Sequence, residues 1–557
     1  TLAAALTLGS PLAATAPVYL APSFVAGSAI ADDPPAPRRP SRRLGRATLG
    51  TFNYAAPLDE GSQSVLSNND TNTITVTTWY RTEAGALTPT LTTLAPGETK
   101  VIDSIAGSRL AFYNQTGASD AKNFQVRVQS NHIVNGHEVT ENVRAVTLEE
   151  LLATGEHAWL PGVVDPLTAT EGLLIFNGQA TDGQFDLGRY NASGNLLAGK
   201  TNLVVPAFSF LSVPDAYAYF NVTPGPSTAK GYTKLYPASN GLTAFALHNH
   251  ASGDHDTIRA LSRAQMQNNF VFPILQRLTS GVPFAKYVDL HTINLDQEPY
   301  TQLFNVAFQA RGAIGPSTFF NGRNLHALDH DVFVEAMSTF FGDLTATEYN
   351  GSGIASNAAT VFTASKIRTA MPHGDVGAWV PAMNARDACG DISAVIAHPC
   401  SLVGLNHGDG YTTTIGVANL ESAAATITAE VYTAAGVLAG TQQITLGQYE
   451  NREVDVLSQY GNLTNARVII KSNRHIQTWA ATENADGDTD FQAGTRMPLP
   501  QLTLEQEVIN ARRSILAADF MSQCQVMGVT PLTRGLYAWL GVPLNTGAET
   551  IGALSIA

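Results

Sequence analysis

A short signature occurs four times along this chain, at intervals as long as one small domain. It consists of an aromatic residue, three or four residues, a glycine, one residue, and then Leu or Ile. The aromatic residues lie 110, 118 and 124 residues apart. They are Tyr80, Tyr190, Phe308 and Tyr432, and the glycines are Gly85, Gly194, Gly312 and Gly436. This spacing predicts a chain built from about four similar modules.

The residues around each signature follow the period of β-strands. Threonines alternate with Ile and Val over residues 73–78, as in a half-buried antiparallel strand. The glycine can adopt a positive φ in a hairpin, across which the aromatic residue and the Leu can pack. Turns every 8–12 residues are typical of a β-sandwich of about 100 residues. The sequence therefore predicts an all-β fold, a tandem array of about four antiparallel β-sandwich modules, with short helical insertions at residues 147–152 and 329–341.

Two further features recur with the signature. An asparagine precedes each aromatic residue by 12 to 14 residues, and an apolar pair followed by proline precedes the later repeats. The asparagines are Asn68, Asn177, Asn294 and Asn419, and the prolines are Pro161, Pro273 and Pro381, with Pro498 closing the last repeat. We use the prolines to place module boundaries. The predicted segments are a signal-like segment and Pro/Arg-rich linker at 1–46, modules at 47–157, 158–269, 270–376 and 377–500, and a C-terminal segment at 501–557.

The C-terminal segment has two interpretations. It can cap the fourth module, because terminal repeats usually need a cap. Alternatively, an apolar strand in it can dock on the open sheet edge of a neighbouring subunit.

Composition and the N-terminal end indicate an exported protein. Only 14% of the residues are charged and the net charge is −14, which argues against a nucleic-acid partner. Residues 1–16 resemble the apolar core of a secretory signal peptide, although an ordered apolar strand is an alternative. Gly9 and Pro11 interrupt this run, so no integral membrane span is expected. We therefore expect a secreted or cell-surface location.

The chain has three cysteines, which favour one disulfide. Cys389 and Cys400 lie in an insertion between Pro381 and Asn419, and they can close a loop disulfide in an exported protein. A zinc site would need two more ligands at a regular spacing. Cys524 remains as an expected buried thiol.

A dense group of His and Asp residues is the strongest catalytic candidate. His248, His250 and His255, with Asp254 and Asp256, resemble the HxHxDH loop of metallo-β-lactamase-like hydrolases, which hold two zinc ions. The spacing here is two residues too long. Residues 484–490 carry a similar loop at the same place in the fourth repeat, so a shared hairpin explains both loops without an active site.

Either loop can bind a cation. Asn484, Asp486, Asp488 and Asp490 alternate around Gly487, so that their oxygens can converge on a hard ion such as calcium. Asp254 and Asp256 are the corresponding candidate metal ligands in the second repeat. The EF-hand pattern is incomplete, and a solvated Asx turn without metal is the alternative. Calcium is the single cofactor that the sequence suggests.

The arrangement resembles secreted bacterial surface proteins built of tandem β-sandwich (Ig-like) repeats. This resemblance implies an extracellular structural or adhesive protein, including a self-assembling surface or filament subunit, and it carries over no catalytic residues. The implied partners are further copies of the chain or other cell-surface components. One alternative is a glycan-binding array with Trp79, Tyr113 and Trp479 as stacking platforms. The other is a metal-dependent hydrolase that uses His248, His250 and His255.

Overall fold

The computed structural model describes residues 52–497 with short gaps, and three strands near the C-terminal end. The gaps are at 60, 119–122, 135, 264, 267–268, 296–301, 316–318, 343–347, 357–360, 373, 385–386 and 391–397. The expected signal-like segment and linker, at 1–46, lie outside the described residues, as does most of the segment 501–557, including Cys524. No helix in the described part is long and apolar enough to cross a membrane.

The predicted all-β fold is confirmed, because antiparallel sheets contain nearly all of the regular structure. The Thr/Ile/Val alternation has the expected effect in the strand Ile74–Thr82, where Ile74, Val76, Thr78 and Tyr80 are buried and the residues between them are half-buried. Nine strands form a unit that occurs four times, and we number these units repeats 1 to 4.

The first two repeats are continuous in the described chain. Repeat 1 contains β1 (Tyr54–Pro57), β2 (Ser62–Asn68), β3 (Ile74–Thr82), β4 (Leu87–Leu94), β5 (Thr99–Asp103), β6 (Ser108–Thr116), β7 (Phe124–Val134), β8 (His137–Arg144) and β9 (Val146–Thr147). Repeat 2 contains β10 (Ala158–Pro161), β11 (Ala169–Asn177), β12 (Gly183–Tyr190), β13 (Leu196–Val205), β14 (Ser209–Val213), β15 (Tyr232–Pro237), β16 (Leu242–His250), β17 (His255–Arg259) and β18 (Leu261–Ser262).

The other two repeats follow the same plan. Repeat 3 contains β19 (Asn269–Leu278), β20 (Ala285–Asn294), β21 (Gln302–Ala310), β22 (Phe319–Leu325), β23 (His330–Phe333), β24 (Tyr349–Ser356), β25 (Val361–Met371), β26 (Gly374–Pro381) and β27 (Met383–Asn384). Repeat 4 contains β28 (Cys400–His407), β29 (Thr412–Asn419), β30 (Ala425–Tyr432), β31 (Leu438–Leu446), β32 (Asn451–Val454), β33 (Leu463–Ser472), β34 (Ile476–Glu483), β35 (Thr489–Ala493) and β36 (Thr495–Arg496). A separate sheet has β37 (Ile515–Ala517), β38 (Trp539–Thr546) and β39 (Glu549–Ile556) in that order.

The strand order within the repeats is the same. Repeat 1 has a five-stranded sheet, β4-β3-β6-β1-β9, and a four-stranded sheet, β5-β2-β7-β8, and repeats 2 and 4 have the corresponding two sheets. In repeat 3 the two sheets are joined, because the ends of β19 and β20 pair at Arg277 with Tyr287 and at Leu278 with Lys286. The repetition seen in the sequence is therefore a repetition of topology.

The aromatic-to-glycine signature forms the hairpin between the third and fourth strands of each repeat. The four glycines have positive φ, at 86° for Gly85, 71° for Gly194, 75° for Gly312 and 79° for Gly436, as the pattern predicts. The aromatic residue and the Leu face each other across the hairpin in repeats 2 and 4, where Tyr190 pairs with Leu196 and Tyr432 with Leu438. Leu196, Ile314 and Leu438 are nevertheless half or more exposed. These residues lie at or beside the edge strand, where the side chains meet solvent.

The repeated asparagine holds two turns together. Asn419 is fully buried, and its Nδ2 donates to the carbonyl oxygens of Ala423 and Gly447, both at 2.7 Å. Its Oδ1 accepts from the backbone amide of Glu421 at 3.1 Å. Asn68 and Asn177 make the same set of bonds, so this asparagine is a structural residue.

Regular helices are short, and those at residues 148–150 and 336–339 lie within the two predicted insertions. Residues 148–150 form a 3-10 turn (Leu148–Glu150), and residues 329–341 contain β23 followed by a one-turn helix, α2 (Ala336–Thr339). The helix α1 (Ala216–Phe220) was not predicted. The strand β23 replaces the expected start of a helix because residues 330–333 pair with β20.

The third proline mark does not open a repeat. Pro161 and Pro273 lie in the first strands of repeats 2 and 3, whereas Pro381 ends β26, which pairs along its whole length with β25 inside repeat 3. The predicted boundary at 376/377 therefore falls within a strand, and repeat 4 begins at β28.

The repeats contact one another in a closed cycle. Apolar side chains of repeat 2, such as Phe176, pack in the core of repeat 1. Residues of repeat 3, such as Phe362, pack in the core of repeat 2, and Trp479 of repeat 4 packs in that of repeat 3. Repeat 4 then contacts repeat 1 through polar groups, with the amide of Thr99 donating to the carbonyl oxygen of Ala434 at 2.8 Å.

The closing contact repeats one made earlier in the chain. The amide of His330, at the start of β23, donates to the carbonyl oxygen of Ala192 at 2.7 Å. Thr99 starts the corresponding strand of repeat 1, and Ala434 stands two residues after its aromatic residue, as Ala192 does. The fifth strand of repeat 3 thus contacts the hairpin of repeat 2 in the same way as the fifth strand of repeat 1 contacts the hairpin of repeat 4. The four repeats of the predicted tandem array therefore form a closed cycle.

Candidate functional site

The candidate residues gather where four equivalent hairpins meet. Strands β8, β17, β26 and β35 occupy the eighth place in their repeats, and each contacts the next in the cycle. We call the side chains on these strands and on the strands paired with them the central hub. The His/Asp loop joins β16 to β17 and the Asp-rich loop joins β34 to β35, so the two loops are the same hairpin in repeats 2 and 4.

Asp256 is the centre of the His/Asp cluster. His250 Nε2 lies 2.6 Å from its Oδ2, and His248 Nδ1 lies 3.0 Å from its Oδ1. Trp379 Nε1 donates to Oδ1 at 2.5 Å, and the ammonium of Lys366 donates to Oδ2. Asp256 is buried, and both Lys366 and Trp379 come from repeat 3, so this cluster fastens repeat 2 to repeat 3.

The two aspartates of the loop have opposite pKa shifts. Burial alone would favour neutral Asp256, but Lys366 and His250 hold its pKa well below the ordinary value. Burial raises the pKa of Asp254 well above the ordinary value, despite the nearby Lys366. The Oδ2 of Asp254 accepts from the amide of Gly377 at 3.0 Å, while its Oδ1 has no hydrogen-bond partner among the described residues. Asp256 is therefore the more acidic of the two and forms the ion pair with Lys366.

The three histidines do not converge on one point. His255 pairs with Asn249 through Nδ1, and its ring lies against that of His132 of repeat 1, tilted by 53° with 5.1 Å between ring centroids. A zinc hydrolase needs an open coordination position for water. Here the polar groups of His248 and Asp256 are buried at a joint between repeats. Among the described residues, the three histidines therefore do not form the converging set on which the hydrolase alternative depends.

Lys366 stands where a cation would be held. In the described part of the chain, His250, Asp254 and Asp256 are the one group of three His, Cys, Asp or Glu residues whose ligand atoms lie within 4.8 Å of one another. Lys366 Nζ lies 2.8 Å from His250 Nε2, and it also binds Asp256. The chain thus supplies its own cation to these ligands.

The Asp-rich loop docks on repeat 1. The amide of Glu138 donates to Asp486 Oδ2 at 2.8 Å, and the amide of Thr140 donates to Asp488 Oδ2 at 2.9 Å. Asn484 Nδ2 donates to the carbonyl oxygen of Glu138 at 2.6 Å, and its Oδ1 accepts two amides of its own loop. Two of the four proposed calcium ligands, Asp486 and Asp488, therefore bind strand β8 through one carboxylate oxygen each, and calcium at this loop stays a prediction.

Asp490 lies behind this contact, in a small polar recess between repeats 4 and 1. The recess is lined by side chains that include Arg127, Thr140, Asn484 and Asp488. Burial raises the pKa of Asp490 to about 7, although the nearby Arg127 opposes this, and burial raises the pKa of Asp488 to about 6. In the described part, Asp490 Oδ1, Thr140 Oγ1 and Arg127 Nε are buried without a hydrogen-bond partner.

The aromatic platforms proposed for glycans are mostly inaccessible. Tyr113 and Trp479 are fully buried, and the hydroxyl of Tyr113 bonds to Ser64 Oγ at 2.8 Å. Trp479 lies over Gly416, where an added Cβ would come within 2 Å of its ring. Trp79 is half-buried. Two of the three side chains therefore cannot stack on a sugar, because each fills the core of its repeat or of the neighbouring one.

Cys389 and Cys400 are disulfide-bonded in the structure, with 5.5 Å between their Cα atoms. The bond ties the insertion to the first strand of repeat 4. Sequence reasoning missed Lys366 and Arg127, because each is a single charged residue in a strand, without a motif around it.

Comparisons with known proteins place the chain in no family. No family model matches it, and no curated protein matches it. Among solved structures, it aligns with the crystal structure of a tetra-tandem repeat in the extending region of a large adhesion protein, at 12% identity, covering 77% of this chain and 93% of that chain. The TM-score is 0.10, so the alignment carries no argument about fold or function.

Proposed function

We propose that this protein is an extracellular structural or adhesive scaffold that works through exposed strand edges and loops, without catalysis. One observation carries the proposal. The side chains that could perform chemistry, above all His248, Asp254, Asp256 and Lys366, are buried at joints between repeats and engage one another there. Residues used in this way stabilise a scaffold and do not meet a substrate.

The outer strands offer the surface for such a role. In each repeat the fourth strand, which is β4, β13, β22 or β31, ends its sheet and pairs on one side only, among the described strands. Each carries an exposed apolar residue: Leu91, Leu196, Phe320 or Leu438. Open edges with apolar side chains are where sheets pair with other chains. A disulfide between Cys389 and Cys400 also favours an oxidising compartment.

β31 is the least protected of these edges. Its nine residues, Leu438–Leu446, contain no charge and no proline, whereas β4 contains Pro89, β13 contains Lys200 and β22 contains Arg323. Charged residues and prolines are the usual means by which an edge is kept from pairing. We therefore take β31 as the edge that pairs with another chain.

Negative-stain electron microscopy of the purified protein, with and without EDTA, tests the proposal. We expect fibres or sheets, and their loss in EDTA would place a divalent cation in the contacts. The variant Thr441→Lys/Gln443→Lys adds charge to exposed positions of β31, and we expect it to abolish assembly. The control Thr426→Lys adds charge at an exposed position of the inner strand β30 and should assemble normally. Dispersed particles at every concentration, or equal assembly of the β31 variant, would contradict the proposal.

A further inference from the structure

The joint between repeats 4 and 1 differs from the other three because no chain segment connects its two faces. The face of repeat 4 includes Ala434, Arg467 and the loop at residues 484–490. The face of repeat 1 includes residues 68–69, 97–99 and 138–140. Arg467 donates to the carbonyl oxygen of Asn68 at 3.2 Å and to Asn69 Oδ1 at 2.5 Å. The contact of Thr99 with Ala434 and the docking of Asp486 and Asp488 complete the joint.

This joint is also polar. Repeats 1 and 2, 2 and 3, and 3 and 4 each share an apolar cluster. No apolar cluster among the described residues spans repeats 4 and 1. The apolar cluster of repeat 4 contains residues of that repeat and Cys389 of the insertion. Exchanging water for polar partners stabilises little, and the unpartnered atoms of Asp490, Thr140 and Arg127 reduce that gain. In the described part of the chain, the joint therefore lacks the shared apolar cluster that stabilises the other three.

We propose that the two faces of this joint also bind between copies, so that an opened chain joins a second copy head to tail. The complement of each face exists on every copy, because repeat 4 of one chain carries the groups that bind repeat 1 of another. Exchange of identical contacts is a low-cost route to assembly, and a head-to-tail contact that does not close propagates into filaments. The proposal rests on the assembling role proposed above, and it names a second interface for it.

Charged groups from both repeats meet at the joint. Asp490 faces Arg127 and Asp488, and Asp488 also faces Lys286, Glu483 and Asp254. Beside them, Asp486 holds the amide of Glu138, whose carboxylate accepts from the hydroxyl of Tyr411.

An exchange experiment on the full chain tests the proposal. Two preparations with different affinity tags are mixed at neutral pH, incubated, and captured on one tag, with light scattering to measure mass. We expect the second tag in the captured wild-type protein.

Two arginine variants serve as further measurements. Arg467→Ala weakens the closing joint and should speed the exchange of tags between copies. Arg311→Ala is the matched control, because Arg311 makes a similar contact with Asn451 and Glu453 at the joint of repeats 3 and 4, where the chain connects the faces. It should leave exchange unchanged.

The outcomes decide the two proposals separately. Absence of exchange in both folded wild type and folded Arg467→Ala would overturn the head-to-tail contact. If Thr441→Lys/Gln443→Lys still exchanges but does not form fibres in the wild-type manner, the head-to-tail contact stands. If Thr441→Lys/Gln443→Lys forms fibres normally and also exchanges, β31 is not the edge that pairs with another chain. The head-to-tail contact is supported in that case too.

Discussion

At the residue scale, one lysine decides the state of the His/Asp cluster. Lys366 lies on β25 of repeat 3 and reaches Asp256 and His250 of repeat 2. A buried carboxylate without a cation would take up a proton or recruit a metal ion. Because Lys366 is 8% exposed and fully engaged, the cluster is neutralised from within and joins the two repeats.

Replacement of this lysine tests that role. We expect Lys366→Met to lower the free energy of unfolding by about 3–5 kcal/mol, since it leaves the charge of Asp256 buried and unpaired. Urea denaturation measures the effect. The control Lys471→Met breaks the exposed pair of Lys471 with Glu430 and should cost less than about 1 kcal/mol. Equal small losses in both variants would show that Lys366 is not the cation of the cluster.

At the element scale, the hairpin between the third and fourth strands has two functions. Its glycine takes the positive φ of the turn in all four repeats. In repeat 4 the same turn also touches repeat 1, with Gly436 against residues 96–97. The turn in repeat 1 has free space around Gly85. The same local motif therefore forms a hairpin in all four repeats, and in repeat 4 it also contacts repeat 1.

These two glycines form a matched pair for substitution. Gly85→Ala should cost about 1–2 kcal/mol from the left-handed backbone alone. Gly436→Ala carries the same cost, and its Cβ would also lie 2.7 Å from the carbonyl carbon of Gly97, so we expect a larger loss and separation of repeats 4 and 1. Urea denaturation gives the energies, and amide exchange at Thr99 reports the joint. If both variants lose the same stability and Thr99 stays protected, the turn does not support closure.

At the scale of the whole molecule, the repeats depend on one another. Phe176 of repeat 2 packs edge-on against Phe112 of repeat 1, at 6.2 Å between centroids, and stacks on Phe245. The core of repeat 1 is thus completed by its neighbour, and the same holds for repeats 2 and 3. A repeat in this cycle does not bury its apolar surface alone, which predicts cooperative unfolding.

Hydrogen exchange after a single core substitution tests the dependence. Phe176→Ala should cost about 3–5 kcal/mol and lower amide protection in repeats 1 and 2 together. Leu405→Ala is the control, because Leu405 lies in the cluster of repeat 4. It should lower protection mainly in that repeat. Loss confined to repeat 2 in the Phe176 variant would mean that the repeats fold independently.

Local features of the chain were predictable from sequence. The strand period, the glycine hairpins and the recurrence of one asparagine depend on residues close together in the chain, as in the bond of Asn419 to Ala423. Side-chain alternation and turn geometry act over a few residues, so their signals survive in the sequence itself. The fold class and the repetition of one unit follow from them.

The hub and the closed cycle were decided by the tertiary structure. The amide of Thr140 meets Asp488 across 348 residues, and Lys366 meets Asp256 across 110. Contacts between such distant residues produce no periodic pattern in the sequence. The sequence alone therefore predicts Asp488 as a calcium ligand and offers His248 as part of an active site. The sequence by itself determined four similar β-units with their hairpins and asparagine clamps. Which faces of those units meet, and hence which charges are buried and neutralised, only the tertiary structure decided, because burial and pairing depend on neighbours that are distant in the chain.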